Sequence, residues 1–501
     1  MAKHSYEALK ARCDASGQAQ LLSDWGALSE AERAALAADL EAIDFDFVAS
    51  ALKASLAAPT AAASGGEARP AEGVLRLDGP GAPSEAARAG WRAAGLRLIA
   101  EGRAAVLLLA GGQGTRLGSA APKGCYDIGL PSRKSLFALQ AERLLSLQRL
   151  AAASAAAGAG AGSGAGGGAG GGAGGGAAKP LMWYVMTSKF THDETLAHFR
   201  DNDYFGLSPG QVFFFQQGFL PCLTEGGQVI LEAPSKVAKA PDGNGGLYRA
   251  LRDGGALADM TKRGVEALDV YCVDNALARV GDPEFLGACW SGGAEVGARV
   301  LAKAHPEEKV GVFASDGEGR LQVLEYSELD PEKASATDPA TGTLFFNWSN
   351  VCMHYFSLPW LARTVEALSG PGAAYHIARK AIPSKGGKVP GIKLEMFIFD
   401  PFPTAARTTL FEVARADHFA PVKNAPGADS DTPAAARAAV LAQGARWAAA
   451  AGAEIEGGCL GLEIPPALSY AGEGLGKLLG GKPVAAPGPW LLKADGTLMS
   501  G

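Results

Sequence analysis

Apolar residues along the chain follow two periods in turn. Near the start, Leu21, Leu22, Trp25 and Leu28 recur at helical spacing, and Ser29-Glu30-Ala31-Glu32 has the form of a helix start. Residues 1 to about 57 therefore predict helices. Ala57 to Pro70 is alanine- and turn-rich and predicts a linker, and Ser84 to Ala100 predicts a third helical segment. Continuous apolar runs follow: Leu107 to Leu109, Leu181 to Met186, Val212 to Phe215, Val270 to Val273, Val310 to Phe313 and Leu321 to Tyr326. Such runs read as buried strands, and the helical stretches between some of them make the chain α/β. The expected core is a doubly wound, predominantly parallel central sheet. Ser135 opens a helix with Leu136, Leu139, Leu147 and Leu150 on one stripe, interrupted by Arg143. Ala151 to Ala178 is almost wholly glycine and alanine, with few side chains to offset its ordering entropy, and predicts a flexible surface loop without a function of its own. Beyond about Pro403 one more helix, Pro433 to Ala450, and short apolar runs predict a small C-terminal domain. The expected division is a helical region over 1–75, a central domain over 76–402 and a C-terminal domain over 403–501.

Length and charge narrow the picture. A chain of 501 residues has room for two or three domains and a large core. Its net charge of -6 gives no reason to expect a nucleic-acid or anionic-membrane partner. Seven cysteines contain no C-x-x-C and predict reduced thiols, hence a cytoplasmic protein. Met1 to Glu7 leads into charged helical sequence, unlike a secretory signal, and no apolar run of membrane-spanning length occurs outside the alanine/glycine tracts.

The candidate chemistry gathers where the first buried strand ends. Leu109-Ala110-Gly111-Gly112-Gln113-Gly114-Thr115-Arg116-Leu117-Gly118 is followed by Pro122-Lys123-Gly124. Glycines let the backbone approach a bulky anion, and Arg116 and Lys123 can neutralise phosphate charge. Arg133 and Lys134 lie close behind in sequence, and the four cations together suit a small polyphosphate. The spacing is not a P-loop, for no Gly-Lys-Ser or Gly-Lys-Thr occurs, nor the dinucleotide fingerprint, because Leu117 stands where its third glycine belongs. Gly-x-Gly-Thr-Arg-x-Gly with Pro-Lys four residues on resembles the cradle of nucleotidyltransferases that make nucleotide sugars. Four further segments stand out. Gln216-Gln217-Gly218 follows a strand, and a carboxamide there can pair with a uracil edge. Asp242-Gly243-Asn244-Gly245-Gly246 is a loop open to close backbone approach. Asp274 ends a buried run and suits Mg²⁺, with a helix N-cap as the competing reading. Lys393 and Lys423 are late lysines, a type more often solvated than functional.

Together these strings resemble the eukaryotic UDP-N-acetylhexosamine (UDP-N-acetylglucosamine) pyrophosphorylases. The resemblance rests on LAGGQGTRLG, GLPSRK, FFQQG, PDGNGGLYRAL, VYCVDN, Leu324-Glu325-Tyr326-Ser327-Glu328, KNA and SYAGEGL, and covers nearly the whole chain. It implies a Rossmann-like fold of the nucleotidyltransferase type A kind. It further implies catalytic roles for Arg116 and Lys123 and nucleotide contacts from Leu109, Ala110, Gly111, Gly112, Gln217 and Gly243. Asn244, Glu325, Tyr326, Asn350, Lys393 and Lys423 would contact sugar or phosphate, and Asp274 would hold Mg²⁺, with Mn²⁺ as a substitute. Around Asn350 the chain departs from the family pattern, with Trp348-Ser349 where a small residue and glycine are usual, and Ala314 to Gly319 lacks an expected arginine.

The implied reaction joins UTP and N-acetylglucosamine 1-phosphate into UDP-N-acetylglucosamine and pyrophosphate, with N-acetylgalactosamine 1-phosphate as a second acceptor. The sugar phosphate is already anionic and attacks the α-phosphorus in line, so positioning and charge neutralisation suffice. Two alternatives stay open at this point: a broad-specificity UDP-sugar pyrophosphorylase, and a catalytically silent nucleotide-sugar-binding protein.

Overall fold

A computed structural model describes residues 6–57, 68–79, 81–161, 178–339, 341–370 and 373–500. Contacts divide the chain into two units that interleave along the sequence. The smaller comprises Met1–Gly66, Gln217–Gly254 and Ala362–Pro401, and the larger Glu67–Gln216, Gly255–Leu361 and Phe402–Gly501.

The larger unit is built on a ten-stranded sheet. In chain order its strands are β1 Arg69–Pro70, β2 Ala104–Leu109, β3 Met182–Thr187, β4 Val212–Gln216 and β5 Ala267–Cys272. They continue with β6 Val296–Ala302, β7 Gly311–Ser315, β8 Leu321–Leu324, β9 Trp348–Ser357 and β10 Thr408–Glu412. The neighbours β5, β2, β3 and β4 all run parallel, as the unbroken apolar runs require of strands covered on both faces. Around that parallel core the sheet is mixed: β9 runs antiparallel to β5, β6 and β7, while β10 lies parallel to β6. β5 and β7 share one edge of β9 end to end, and between them Cys352 adopts a left-handed φ of 55°. The buried core includes Val106, Leu108, Phe137, Trp183, Val185, Tyr271 and Phe285. Through it runs one ion pair, Arg299 to Asp269 at 2.6 Å, with both side chains wholly buried. Asp269 also accepts from the Gly281 amide at 2.8 Å, and Arg299 donates to the Arg279 carbonyl at 2.6 Å, so most of its polar capacity is met.

The smaller unit holds the helices Tyr6–Ala15, Glu30–Glu41 and Phe45–Ala57. Ser29 and Glu32 form the reciprocal cap of the second. The helix expected across Leu21 to Leu28 is instead two short 3₁₀ turns, Ala19–Leu22 and Trp25–Ala27. Gln18, just before them, is spent tying the chain across to the Gly227 carbonyl and the Val229 amide, which fixes a turn rather than a helix. A long hairpin pairs His376–Ser384 with Gly387–Glu395. Ile382 from that hairpin packs with Cys222, Ile230, Ala238 and Ala240 into a small core.

A second expectation needs correcting. The stripe opened by Ser135 becomes the helix Leu136–Ala161, so the first eleven residues of the presumed 151–178 loop extend it. Alanine is the best helix former and dominates those turns. Residues 162–177 of that stretch, and 58–67 of the linker, lie outside the described residues.

Gly124 follows the cradle lysine, and a Cβ there would sit 2.1 Å from the Phe137 ring. Phe137 is wholly buried between Trp183 and Phe199 and has nowhere to retreat. Gly124→Ala should therefore lower stability by about 1–3 kcal/mol. A thermal unfolding midpoint equal to that of the wild type would show that the ring yields.

Candidate active site

In the larger unit, register sets out the site. Leu109, the last residue of β2, pairs with Met186 on one side and Cys272 on the other. The ladder runs one step further: the Ala110 amide donates to the Met186 carbonyl at 2.7 Å, and the Val273 amide to the Leu109 carbonyl at 3.1 Å. The glycine turn and Asp274 thus leave adjacent strands at one level, at the carboxyl end where α/β sheets hold ligands.

The turn is pinned rather than slack. The Gly114 amide donates to the Ala121 carbonyl at 3.0 Å, Gln113 bridges Pro122, and Thr115–Leu117 form a 3₁₀ turn closed by Gly118 at φ 73°. Arg116 on that turn is exposed, and no partner for it is recorded among the described residues. Lys123 reaches the other way, its Nζ lying 3.7 Å from an Asp274 carboxylate oxygen and donating to the Val422 carbonyl at 3.3 Å. Both side chains are more than four-fifths buried. The Val422 amide in turn donates to the Asp274 carbonyl at 2.9 Å, and Lys423 follows, with Nζ 3.9 Å from Asp431 and 5.7 Å from the Phe419 ring centre.

Asn350 lies on β9 opposite Gly311 and Val300 and accepts the Cys352 amide at 3.2 Å. On the far side of Gly311, the turn after β8 carries Glu325, whose carboxylate lies 3.0 Å from where a Gly311 Cβ would stand, and the exposed Tyr326. The structure therefore gathers Arg116, Lys123, Asp274 and Lys423 on one group of loops, and Asn350 and Glu325 about Gly311. Arg133 and Lys134 each meet a carboxylate. Arg133, largely exposed, pairs with Asp127 at 3.0 Å, and Lys134 with Glu142 at 2.5 Å.

The smaller unit holds the rest. Gln217 donates its Nε2 to an Asp242 carboxylate oxygen at 3.1 Å and to the Gly243 carbonyl at 2.5 Å. Gly243 has φ 83°, and a Cβ on it would lie 2.2 Å from the Met396 carbonyl oxygen, so glycine is required there. Asn244 accepts the Ile398 amide with Oδ1 at 2.9 Å. Lys393 sits on the hairpin opposite Ala378. Burial pushes the Asp242 carboxyl up to about 6, partly opposed by the hydrogen bond from Gln217.

The family model for UTP–glucose-1-phosphate uridylyltransferase matches residues 177–430. UDP-N-acetylglucosamine diphosphorylase 2 of Arabidopsis thaliana is 44% identical over 487 residues, 96% of this chain and 93% of its own length. The UDP-N-acetylglucosamine pyrophosphorylase of Saccharomyces cerevisiae is 37% identical over 93% of this chain and 95% of its own. The chain belongs to the UDP-N-acetylglucosamine pyrophosphorylase family. Among solved structures, the UDP-N-acetylglucosamine pyrophosphorylase of Trypanosoma brucei superposes with a TM-score of 0.78 at 32% identity, over 94% of each chain. UDP-glucose pyrophosphorylase of Leishmania major, at 18% identity and a TM-score of 0.57, shares the fold alone.

For a UDP-N-acetylglucosamine pyrophosphorylase, two residues matter that stand inside the motifs of this chain but received no role from sequence. One is Asp242, whose burial was invisible in a loop of glycines. The other is Asn275, 2% exposed. Its Nδ2 donates to the His418 carbonyl at 2.7 Å, and its Oδ1 accepts the Ala420 and Leu277 amides at 2.9 and 3.2 Å. Asn275 thereby stitches the Asp274 loop to the segment bearing Val422 and Lys423. Asn275→Ala orphans three buried main-chain groups, so the thermal midpoint should fall in line with a loss of about 1–3 kcal/mol. Unchanged stability would show that water replaces the amide.

Proposed function

We propose that the chain transfers a uridylyl group from UTP to N-acetylglucosamine 1-phosphate, releasing pyrophosphate and UDP-N-acetylglucosamine. Family membership supports the reaction class. The observation that carries the assignment of residues is the Lys123–Asp274 pair set beside a pinned glycine turn at the end of β2, with the Arg116 guanidinium on that turn.

The proposed mechanism asks little covalent chemistry of the protein. The acceptor oxygen is ionised, so no side chain need take a proton from it. Backbone groups of Leu109 to Gly112 hold the nucleotide, Arg116 and Lys123 grip the triphosphate, and the charge that develops on the departing pyrophosphate is met by those cations. Gln217 and Gly243 are assigned to the nucleotide. Asn244, Glu325, Tyr326, Asn350, Lys393 and Lys423 are assigned to the sugar and its phosphate.

Among the described residues, no group of three His, Cys, Asp or Glu side chains forms a metal site. One carboxylate beside a phosphate cradle nonetheless fits Mg²⁺, which is usually held by one or two carboxylates and substrate phosphates. Asp274 would hold it, with Mn²⁺ as a substitute, and the bound ion would supply further neutralisation of phosphate charge. With the cysteines of the chain free as thiols, a cytoplasmic location is proposed as well.

Lys123→Ala should lower kcat by ~10²–10³, the usual loss when one preorganised donor is removed. A variant within threefold of wild type would remove the lysine from the mechanism. The substrate is tested by pyrophosphate release from UTP and Mg²⁺ with four acceptors. Release should be confined to N-acetylglucosamine and N-acetylgalactosamine 1-phosphates and stop with a chelator. Equal release with glucose 1-phosphate would contradict the assignment, and Trp348 would be the residue to question.

A further inference from the structure

The smaller unit contains a polar contact that the reaction does not itself require. Asp242 is 2% exposed, yet its carboxylate faces the side-chain amide of the half-buried Gln217. The two groups against that amide are the Asp242 carboxylate, 3.1 Å from Nε2, and the Gly243 carbonyl, 2.5 Å from it. An ionised carboxylate and a carbonyl have no proton to give, so both demand the NH₂ end of the amide. Oε1 must then face away. Asp242 is itself held in place: its carbonyl accepts the Met396 amide at 2.8 Å, and its carboxylate lies against Gly246 so closely that a Cβ there would be 1.8 Å from Oδ1.

The direction of this amide decides which base suits it. Uracil presents a donor at N3, between two carbonyls, whereas cytosine presents an acceptor at N3. An outward Oε1 accepts from uracil but opposes the lone pair of cytosine. An amide free to turn over could offer Nε2 to cytosine instead. We propose that Asp242 is a specificity-determining positioning residue: with the Gly243 carbonyl it locks the Gln217 amide so that a uracil nucleotide is accepted and a cytosine nucleotide refused. The inference rests on the reading of Gln217 as a nucleotide contact in a UTP-using enzyme, and it adds the residue that sets its hydrogen-bonding sense.

The test is kcat/KM for UTP and for CTP, with N-acetylglucosamine 1-phosphate and Mg²⁺ at pH 8, where Asp242 is ionised. Wild type, Asp242→Ala, Asp242→Asn, Gln217→Ala and the double variant Asp242→Ala/Gln217→Ala are compared. Selectivity is a ratio within one preparation, so a smaller folded fraction cancels. Wild type should favour UTP at least ~10²-fold, as sites built on a substrate hydrogen bond do. Asp242→Ala should lower that ratio at least about tenfold, the worth of one such bond. Asp242→Asn keeps an acceptor oxygen in the same place and should restore most of the ratio. Once Gln217 is alanine, removing Asp242 should change the ratio by less than about twofold, because the two act as one unit.

Unchanged selectivity in Asp242→Ala would overturn the proposal, as would a wild type indifferent to the base. So would a further fall when Asp242 is removed from Gln217→Ala, or an asparagine no better than alanine. If Asp242→Ala does not accumulate as folded protein, Asp242→Ser, too short to reach the amide, takes its place with the same expectation. A wild type releasing no pyrophosphate from either nucleotide would sink the reaction instead, and binding of UTP against CTP by calorimetry would then decide the Asp242 assignment separately.

Discussion

Parallel register at the end of β2 is the constraint on which the phosphate machinery depends. Leu109 is matched to Met186 and to Cys272, and one more hydrogen bond on each side carries the ladder past the strand ends. Two loops with different chemistry, one of glycines and cations and one bearing an acid, are forced to begin at the same height. β2 is buried throughout its length, so a slip of register would break backbone pairing on both sides at once. The Lys123–Asp274 approach follows from this register and needs no special feature of either side chain. The segment with Val422 and Lys423 is then added through the Lys123 Nζ, the Asp274 carbonyl and the Asn275 amide.

The two units use the same device, a glycine loop tied down by main-chain hydrogen bonds. In the larger unit, a glycine turn is closed on itself by the Gly114–Ala121 bond, while Arg116 on its surface is left without a recorded partner among the described residues. In the smaller unit, Gly243, Gly245 and Gly246 crowd against Met396 and Asp242 with no space for a Cβ. Those glycines serve close approach within the protein, whatever they do for a ligand. The Asp242 carboxyl is kept out of water by that crowding, and its raised pKa is the consequence.

Much of this was legible in the sequence where chemistry and pattern agree. The parallel strands were read from continuous apolar runs, and the cradle and the acid at the end of β5 from short strings whose spacing is rare. Legibility failed where tertiary contacts override pattern. β6 was not foreseen because Arg299 interrupts its apolar run, and only the structure reveals that Asp269 neutralises it in the core. β9 was missed for a similar reason, since Ser349, Asn350 and His354 break its hydrophobicity although Ser349 and His354 are wholly buried. Arg133 and Lys134 stood beside the cradle in sequence, and the carboxylates they meet, Asp127 and Glu142, were not foreseen. Alanine propensity turned part of a supposed loop into helix. Asp242, named only at the head of a glycine loop, received no role because burial of one carboxylate among glycines leaves no trace in the sequence.

The proposed reaction moves a uridylyl group by positioning and charge neutralisation, in one displacement, with no side chain acting as nucleophile. Isotope exchange between labelled pyrophosphate and UTP, in the presence of Mg²⁺ but without sugar phosphate, tests it most directly. Direct displacement predicts no label in UTP until N-acetylglucosamine 1-phosphate is added, and exchange thereafter. Label entering UTP without the sugar phosphate would reveal a covalent uridylyl-enzyme and overturn direct displacement.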